Sequence, residues 1–175
     1  MLKAAIIMGS DSDLGVLSAA AKILEQFDIP FEIKILSAHR TTEAALSFAV
    51  AAEKKGFGVL IAGAGGAAHL PGVLAAATTL PVIGVPVRTK TLDGLDSLLS
   101  IVQMPPGIPV ATVAVDGARN AGLLAARILA TSRPELARRL SDYAARMESE
   151  VIAKAGRLEK AGPEGYSKQA QEAVS

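Results

Sequence analysis

Short apolar runs alternate with amphipathic stretches along most of the chain. Ala4–Met8 is apolar and predicts a strand; Asp13–Phe27 follows, with Leu14, Leu17, Ala20, Ala21 and Leu24 recurring at helical spacing. Ile29–Leu36 carries a proline near its start and then sets Phe31, Ile33 and Ile35 against Glu32 and Lys34, the period of two expected of a strand. Thr42–Lys55 returns to a helical pattern and stops at Gly56. Val59–Ala62, a glycine-rich block and a short helix near Leu70–Thr78 lead to a strand at Val82–Val85. Leu92–Val102 reads as a helix ended by Pro105-Pro106-Gly107, and Val110–Val115 as a fifth strand. Ala118–Ala130 is a helix of small residues, and Pro134–Lys160 a long one with Leu136, Leu140, Tyr143, Met147 and Val151 along one face.

Strands that alternate with helices predict an α/β fold. Its form is a three-layer, doubly wound, parallel five-stranded sheet in the flavodoxin-like order 2-1-3-4-5, with a long C-terminal helix beyond the core. The expected organisation is a single domain over residues 1–160 and a polar tail over 161–175, mobile or laid on a neighbouring subunit. No repeat of solenoid period is visible.

Composition narrows the function. The chain has 175 residues, half of them hydrophobic, which suits one compact core. Its 18 basic and 17 acidic residues are interspersed, so a net charge of +1 offers no general field for nucleic acid or an acidic membrane surface. The absence of cysteine removes disulfides, thiolate catalysis and soft-metal sites, which fits a cytoplasmic protein. The start, Met1-Leu2-Lys3-Ala4, lacks the ordered regions of a signal peptide. Gly56–Val87 carries no formal charge, yet its glycines at 63, 65 and 66 and prolines at 71, 81 and 86 divide it into pieces too short to span a bilayer.

The proposed strand order places strands 2 and 3 on either side of strand 1, and ligands of open α/β sheets bind at the strand carboxyl ends where the order reverses. Three loops would meet there: Gly9-Ser10-Asp11-Ser12-Asp13, Ser37-Ala38-His39-Arg40 and Ala62 to Gly72. The first has the residue types of a helix cap, and its free N–H groups and hydroxyls equally suit an anion. Arg40 would offset the two aspartates beside a phosphate, and Asp13, an acceptor only when ionised, suits ribose hydroxyls. Taken alone, Arg40 reads as well as a surface arginine at a helix start. The glycine-rich loop lets backbone approach a flat ligand. Only two histidines occur, His39 and His69, and no cysteine, so acid–base chemistry near neutrality falls to them. His39 is the principal candidate; His69 reads also as a hydrogen-bonded core residue.

These blocks carry a resemblance. Met8-Gly9-Ser10-Asp11-Ser12-Asp13, Ser37-Ala38-His39-Arg40-Thr41, Ile61 to Gly72, Gly84-Val85-Pro86-Val87 and Asp96 to Pro105 resemble, in unbroken order, the class I N5-carboxyaminoimidazole ribonucleotide mutase family of purine biosynthesis. The resemblance implies a homo-octamer that uses neither metal nor organic cofactor and moves a carboxylate from the exocyclic nitrogen of an aminoimidazole ribonucleotide to ring carbon 4. It also implies His39 as the general acid–base, with His69 lining the site. Gly9, Ser10, Ser12, Asp13, Ser37, Ala38 and Arg40 would bind the nucleotide, and Gly65, Gly66, Ala67 and Leu70 would pack on the imidazole and carboxylate. Thr42 stands where many relatives have proline, and Arg88-Thr89-Lys90 makes an unexpectedly basic loop that belongs either to the site or to an interface. Two other readings stand beside this one: a class II enzyme that carboxylates the aminoimidazole ribonucleotide with free carbon dioxide, and a flavodoxin-like flavin- or nucleotide-binding module without catalysis. The three loops lack the aromatic residue that a flavin site usually stacks on its ring.

Overall fold

The computed structural model of the chain describes residues 1–172, with side chains described to Ser167. Met1–Leu136 forms one compact unit and Ala137–Ser175 a second. In the first unit, β1 (Lys3–Met8), β2 (Phe31–Ile35), β3 (Phe57–Gly65), β4 (Val82–Val87) and β5 (Ala111–Thr112) make one sheet in the order β2-β1-β3-β4-β5. Every pairing is parallel. The helices are α1 (Leu14–Gln26), α2 (Thr42–Ala52), α3 (Leu70–Ala76), α4 (Leu95–Val102) and α5 (Ala118–Ala130). The expected order and layering are observed.

The central strands explain the uncharged stretch of the sequence. Leu60, Ile61 and Ala62 of β3 are fully buried between β1 and β4, as a strand covered by helices on both faces must be. On one face Ala5, Ile7, Leu60 and Ala62 meet Ala45, Phe48, Ala49 and Leu74 from α2 and α3. On the other, α1 packs on α5 at unusually close range. A Cβ at Gly122 would lie 2.9 Å from Ile23 Cβ and 3.0 Å from the Ala20 carbonyl oxygen, so the crossing needs glycine there. The small residues of α5, with Ala118, Ala121, Ala125 and Ala126 fully buried, serve this contact inside the subunit.

Several boundaries differ from expectation: α4 begins at Leu95 rather than Leu92, β3 begins at Phe57 rather than Val59 and β4 runs on to Val87, and three further differences have a visible cause. β3 runs on from Ala62 to Gly65, because Gly63, Ala64 and Gly65 pair in register with Val85, Pro86 and Val87 despite their weak strand preference. β5 is shorter than Val110–Val115. The chain stays alongside β4, with Val113 N–H donating to the Gly84 carbonyl and Asp116 N–H to that of Pro86. Pro86 has no N–H to return, and the ladder lapses there. A 3₁₀ turn, Asp11–Asp13, precedes α1, so the helix begins at Leu14 rather than Asp13.

The second unit is carried by α6 (Pro134–Glu172), in which Met147, Val151 and Ile152 are exposed. Gly162, at φ 67° and ψ 169° and followed by Pro163, interrupts it next to the expected boundary at Lys160. Residues beyond the break, in the segment expected as a polar tail, are helical to Glu172; the rest of that tail, 173–175, lies outside the described residues. Among the described residues, no helix is long and apolar enough to cross a membrane.

Candidate active site

The carboxyl ends of β1, β2, β3 and β4 surround a cavity of about 490 Å³. Gly9, Ser10, Ser12 and Asp13 line it from the first loop, and Ser37, Ala38, His39 and Arg40 from the second. Gly65, Ala67, His69 and Leu70 line it from the third. Ala64, Val87, Arg88 and Thr89 complete the wall, so part of the basic loop after β4 belongs to the cavity.

The first two loops are held by their own polar groups. Ser10 caps the 3₁₀ turn in an extended conformation and accepts the Ser12 N–H at 3.3 Å. Asp13 opens α1 without a side-chain capping bond and instead accepts the Ser12 hydroxyl at 3.2 Å. Partial burial holds the Asp13 carboxyl above its ordinary pKa against the lowering effect of that bond, and Asp11 nearby adds repulsion. In the second loop, Ser37 N–H donates to Thr41 Oγ1 at 2.8 Å, and Arg40 N–H donates to Ser37 Oγ at 3.2 Å. Thr42, in place of proline, donates its hydroxyl to the Ala38 carbonyl at 2.7 Å and so closes the same turn. Ala38 is buried in the core while His39 and Arg40 on its far side are exposed, which aims both side chains outward.

Arg40 spans two loops. One guanidinium N–H donates to the Gly9 carbonyl at 2.8 Å and Nε points to Ser37 Oγ at 3.5 Å. Further donors of the five-donor fork remain for an anion above Ser10 and Ser12. Arg88 is tied differently: its Nε donates to Asp116 at 3.2 Å and one terminal nitrogen to Asp93, and these carboxylates raise its pKa, the hydrogen bond to Asp116 first.

The histidines meet. His39 Nε2 lies 2.8 Å from His69 Nδ1, with the rings edge to face at 89°. Such a contact needs one hydrogen between the two nitrogens, so one ring donates and the other accepts. The outer nitrogens, His39 Nδ1 and His69 Nε2, are then linked by a short proton path. His69 stands between Ala68 and Leu70, both buried, which fixes its backbone at the start of α3. The chain pattern locates both rings at strand ends; their contact needs the register of β1 against β2 and β3, which spacing along the sequence does not carry.

Gly66 is not among the residues that line the cavity; it adopts φ 67°, and its N–H donates to Ser97 Oγ at 2.9 Å.

The family model described as AIR carboxylase matches residues 3–150. The chain is 59% identical over 169 residues to the N5-carboxyaminoimidazole ribonucleotide mutase of Thermotoga maritima, covering 97% of this chain and 99% of that one. It is 62% identical over 161 residues to the mutase of Pyrococcus horikoshii, covering 92% and 91%. Among solved structures, Treponema denticola PurE superposes with a TM-score of 0.81 at 30% identity, over 90% of this chain and 99% of that one.

Proposed function

The chain belongs to the AIR carboxylase family, and from that premise we propose that it converts N5-carboxyaminoimidazole ribonucleotide into 4-carboxy-5-aminoimidazole ribonucleotide, an isomerisation in purine biosynthesis. The observation that carries the reading at the level of chemistry is convergence. A paired imidazole, an arginine fork and a serine-rich helix start line one cavity.

We assign the phosphate to Ser10, Ser12 and Arg40, and the ribose hydroxyls to the Asp13 carboxylate. Gly9, Ser37 and Ala38 supply the backbone frame of this pocket. The aminoimidazole then lies toward Gly65, Ala67 and Leu70, where small side chains leave room for a ring and for carbon dioxide. The imidazolium of His39 protonates the exocyclic nitrogen as its bond to the carboxylate carbon breaks, releasing carbon dioxide. Ring carbon 4 attacks the trapped carbon dioxide, and the now neutral imidazole removes the proton from that carbon, which restores the starting state. His69 holds the His39 ring by the shared hydrogen and offers a second seat for the proton. Confinement matters because free carbon dioxide escapes faster than it recombines in an open site.

The assembly is a homo-oligomer, in the reading favoured here an octamer, working in the cytoplasm. A stripe of exposed apolar residues along and just before α4, Leu92, Leu95, Leu99 and Val102, supports subunit contact. Residues 1–160 then act as the catalytic domain and 161–175 as an accessory segment.

The test is turnover of purified protein with the N5-carboxylated nucleotide, and separately with the uncarboxylated nucleotide plus bicarbonate. Turnover of the first without added bicarbonate is expected, and turnover of the second alone would assign class II chemistry. In the same assay His39→Asn is expected to lose about 10²–10⁴-fold in kcat, the range for a proton-transfer group, while nucleotide binding persists. Wild-type turnover in that variant would remove His39 from its role.

A further inference from the structure

Ser97, on the first turn of α4, is fully buried, and no other polar or charged residue is buried to that degree among the described residues. Its hydroxyl accepts the Gly66 N–H at 2.9 Å and donates to the Val87 carbonyl at 2.6 Å. Gly66 directly follows the last residue of β3 and Val87 is the last of β4, so a single oxygen ties the two strand ends together beside the cavity. Ser100, one turn on, donates to the Asp96 carbonyl at 2.7 Å with the Gly66 carbonyl oxygen 3.2 Å away, and Thr89 donates to Asp96 at 2.9 Å. The Gly66 N–H is therefore held from α4, with the Ser100 hydroxyl beside its carbonyl. That grip matters because Gly66 adopts φ 67°, and the next residues fold tightly, with Ala68 N–H donating to the Gly66 carbonyl and His69 N–H to that of Ala67. The backbone conformation at Gly66 thus sets where the His69 ring stands relative to His39.

We propose that Ser97 is a positioning residue for the mutase reaction: it locks the Gly66 turn and thereby holds His69 in hydrogen-bond contact with His39, without touching the substrate. The inference rests on the function proposed above, and its decisive readout does not require turnover. Because the chain has only two histidines, a sample labelled with nitrogen-15 at histidine gives a two-residue imidazole spectrum in which the shared hydrogen is directly visible. Ser97→Ala removes the tie and leaves Gly66 N–H without its partner. Gly66→Ala acts on the same turn from the other side. A Cβ there meets nothing within 4 Å, so its effect comes from backbone conformation and not from collision.

Both variants are expected to lose the imidazole-to-imidazole signal and to lower kcat by about tenfold or more with KM changed less than threefold. The double variant is expected to lose no more than the worse single one, since both release one turn. If Ser97→Ala does not fold, Ser100→Ala, at an exposed position, replaces it, with a smaller change of the same kind expected. A normal imidazole spectrum and unchanged kcat in folded variants, even with a lowered Tm, would reduce Ser97 to a core-packing residue and overturn the inference, as would multiplicative losses in the double variant. A wild type that shows the imidazole signal but no turnover would count against the proposed function and not against this tie.

Discussion

Asp13 is where stability and function pull apart. Its carboxyl is partly buried, which raises its pKa, so ionisation costs the folded state more than the unfolded one. The sign follows: Asp13 favours folding most below the unfolded carboxylate range, and that advantage is lost as pH rises through the raised folded value. At neutral pH the ionised side chain therefore destabilises the fold while remaining the form that would accept ribose hydroxyls in the proposed site. Asp13→Asn is expected to raise the melting temperature slightly at pH 7 and to raise the nucleotide KM about 10- to 100-fold, the worth of a lost charged hydrogen bond. The wild-type KM should climb on acidification at a pH above the ordinary carboxylate range, and the variant should lack that limb. Thermal denaturation and KM against pH read both. Sequence alone marks Asp13 as an acceptor beside Ser12, but its burial comes from how the loops close over it. Gly66 illustrates the reverse case. A glycine in a glycine-rich loop reads as a place for a ligand, and its N–H bond to Ser97, 31 residues away, is not visible along the chain.

At the level of elements, the alternation of apolar runs with helical stretches was enough to place every strand and helix in order. Its errors of extent include those where pairing partners decide. Pro86 shortens β5 through an N–H it lacks, and β3 gains Gly63–Gly65 because β4 lies beside them. The α1 and α5 pairing is another partner effect, since Gly122 is one small residue among many until Ile23 and Ala20 come against it. Gly122→Val inserts atoms where a Cβ already lies within 3.0 Å of Ile23 and the Ala20 carbonyl. It is expected to cost about 1–3 kcal/mol in urea denaturation, with kcat of the remaining folded enzyme preserved, because neither helix lines the cavity through these residues.

Across the whole molecule, the exposed apolar stripe at Leu92, Leu95, Leu99 and Val102 faces away from the core that α4 completes with Ile101. Coverage by another subunit, as proposed above, would account for four large apolar side chains, each about half exposed, on eleven successive residues. Leu99→Glu is expected to lower the assembly mass in light scattering and, by loosening α4, to reduce turnover. A variant that keeps both the wild-type mass and kcat would remove this stripe from the interface.

The cavity takes its lining from residue 9 through residue 89, delivered by four strands whose neighbours in space are distant in the chain. Such non-local pairing forms late, after the entropy of the long connections has been lost. A ribosome-bound fragment that ends before β4 consequently has histidines and serines but no receptor for the nucleotide. Retention of the nucleotide by nascent chains of increasing length would mark the moment at which the sheet closes.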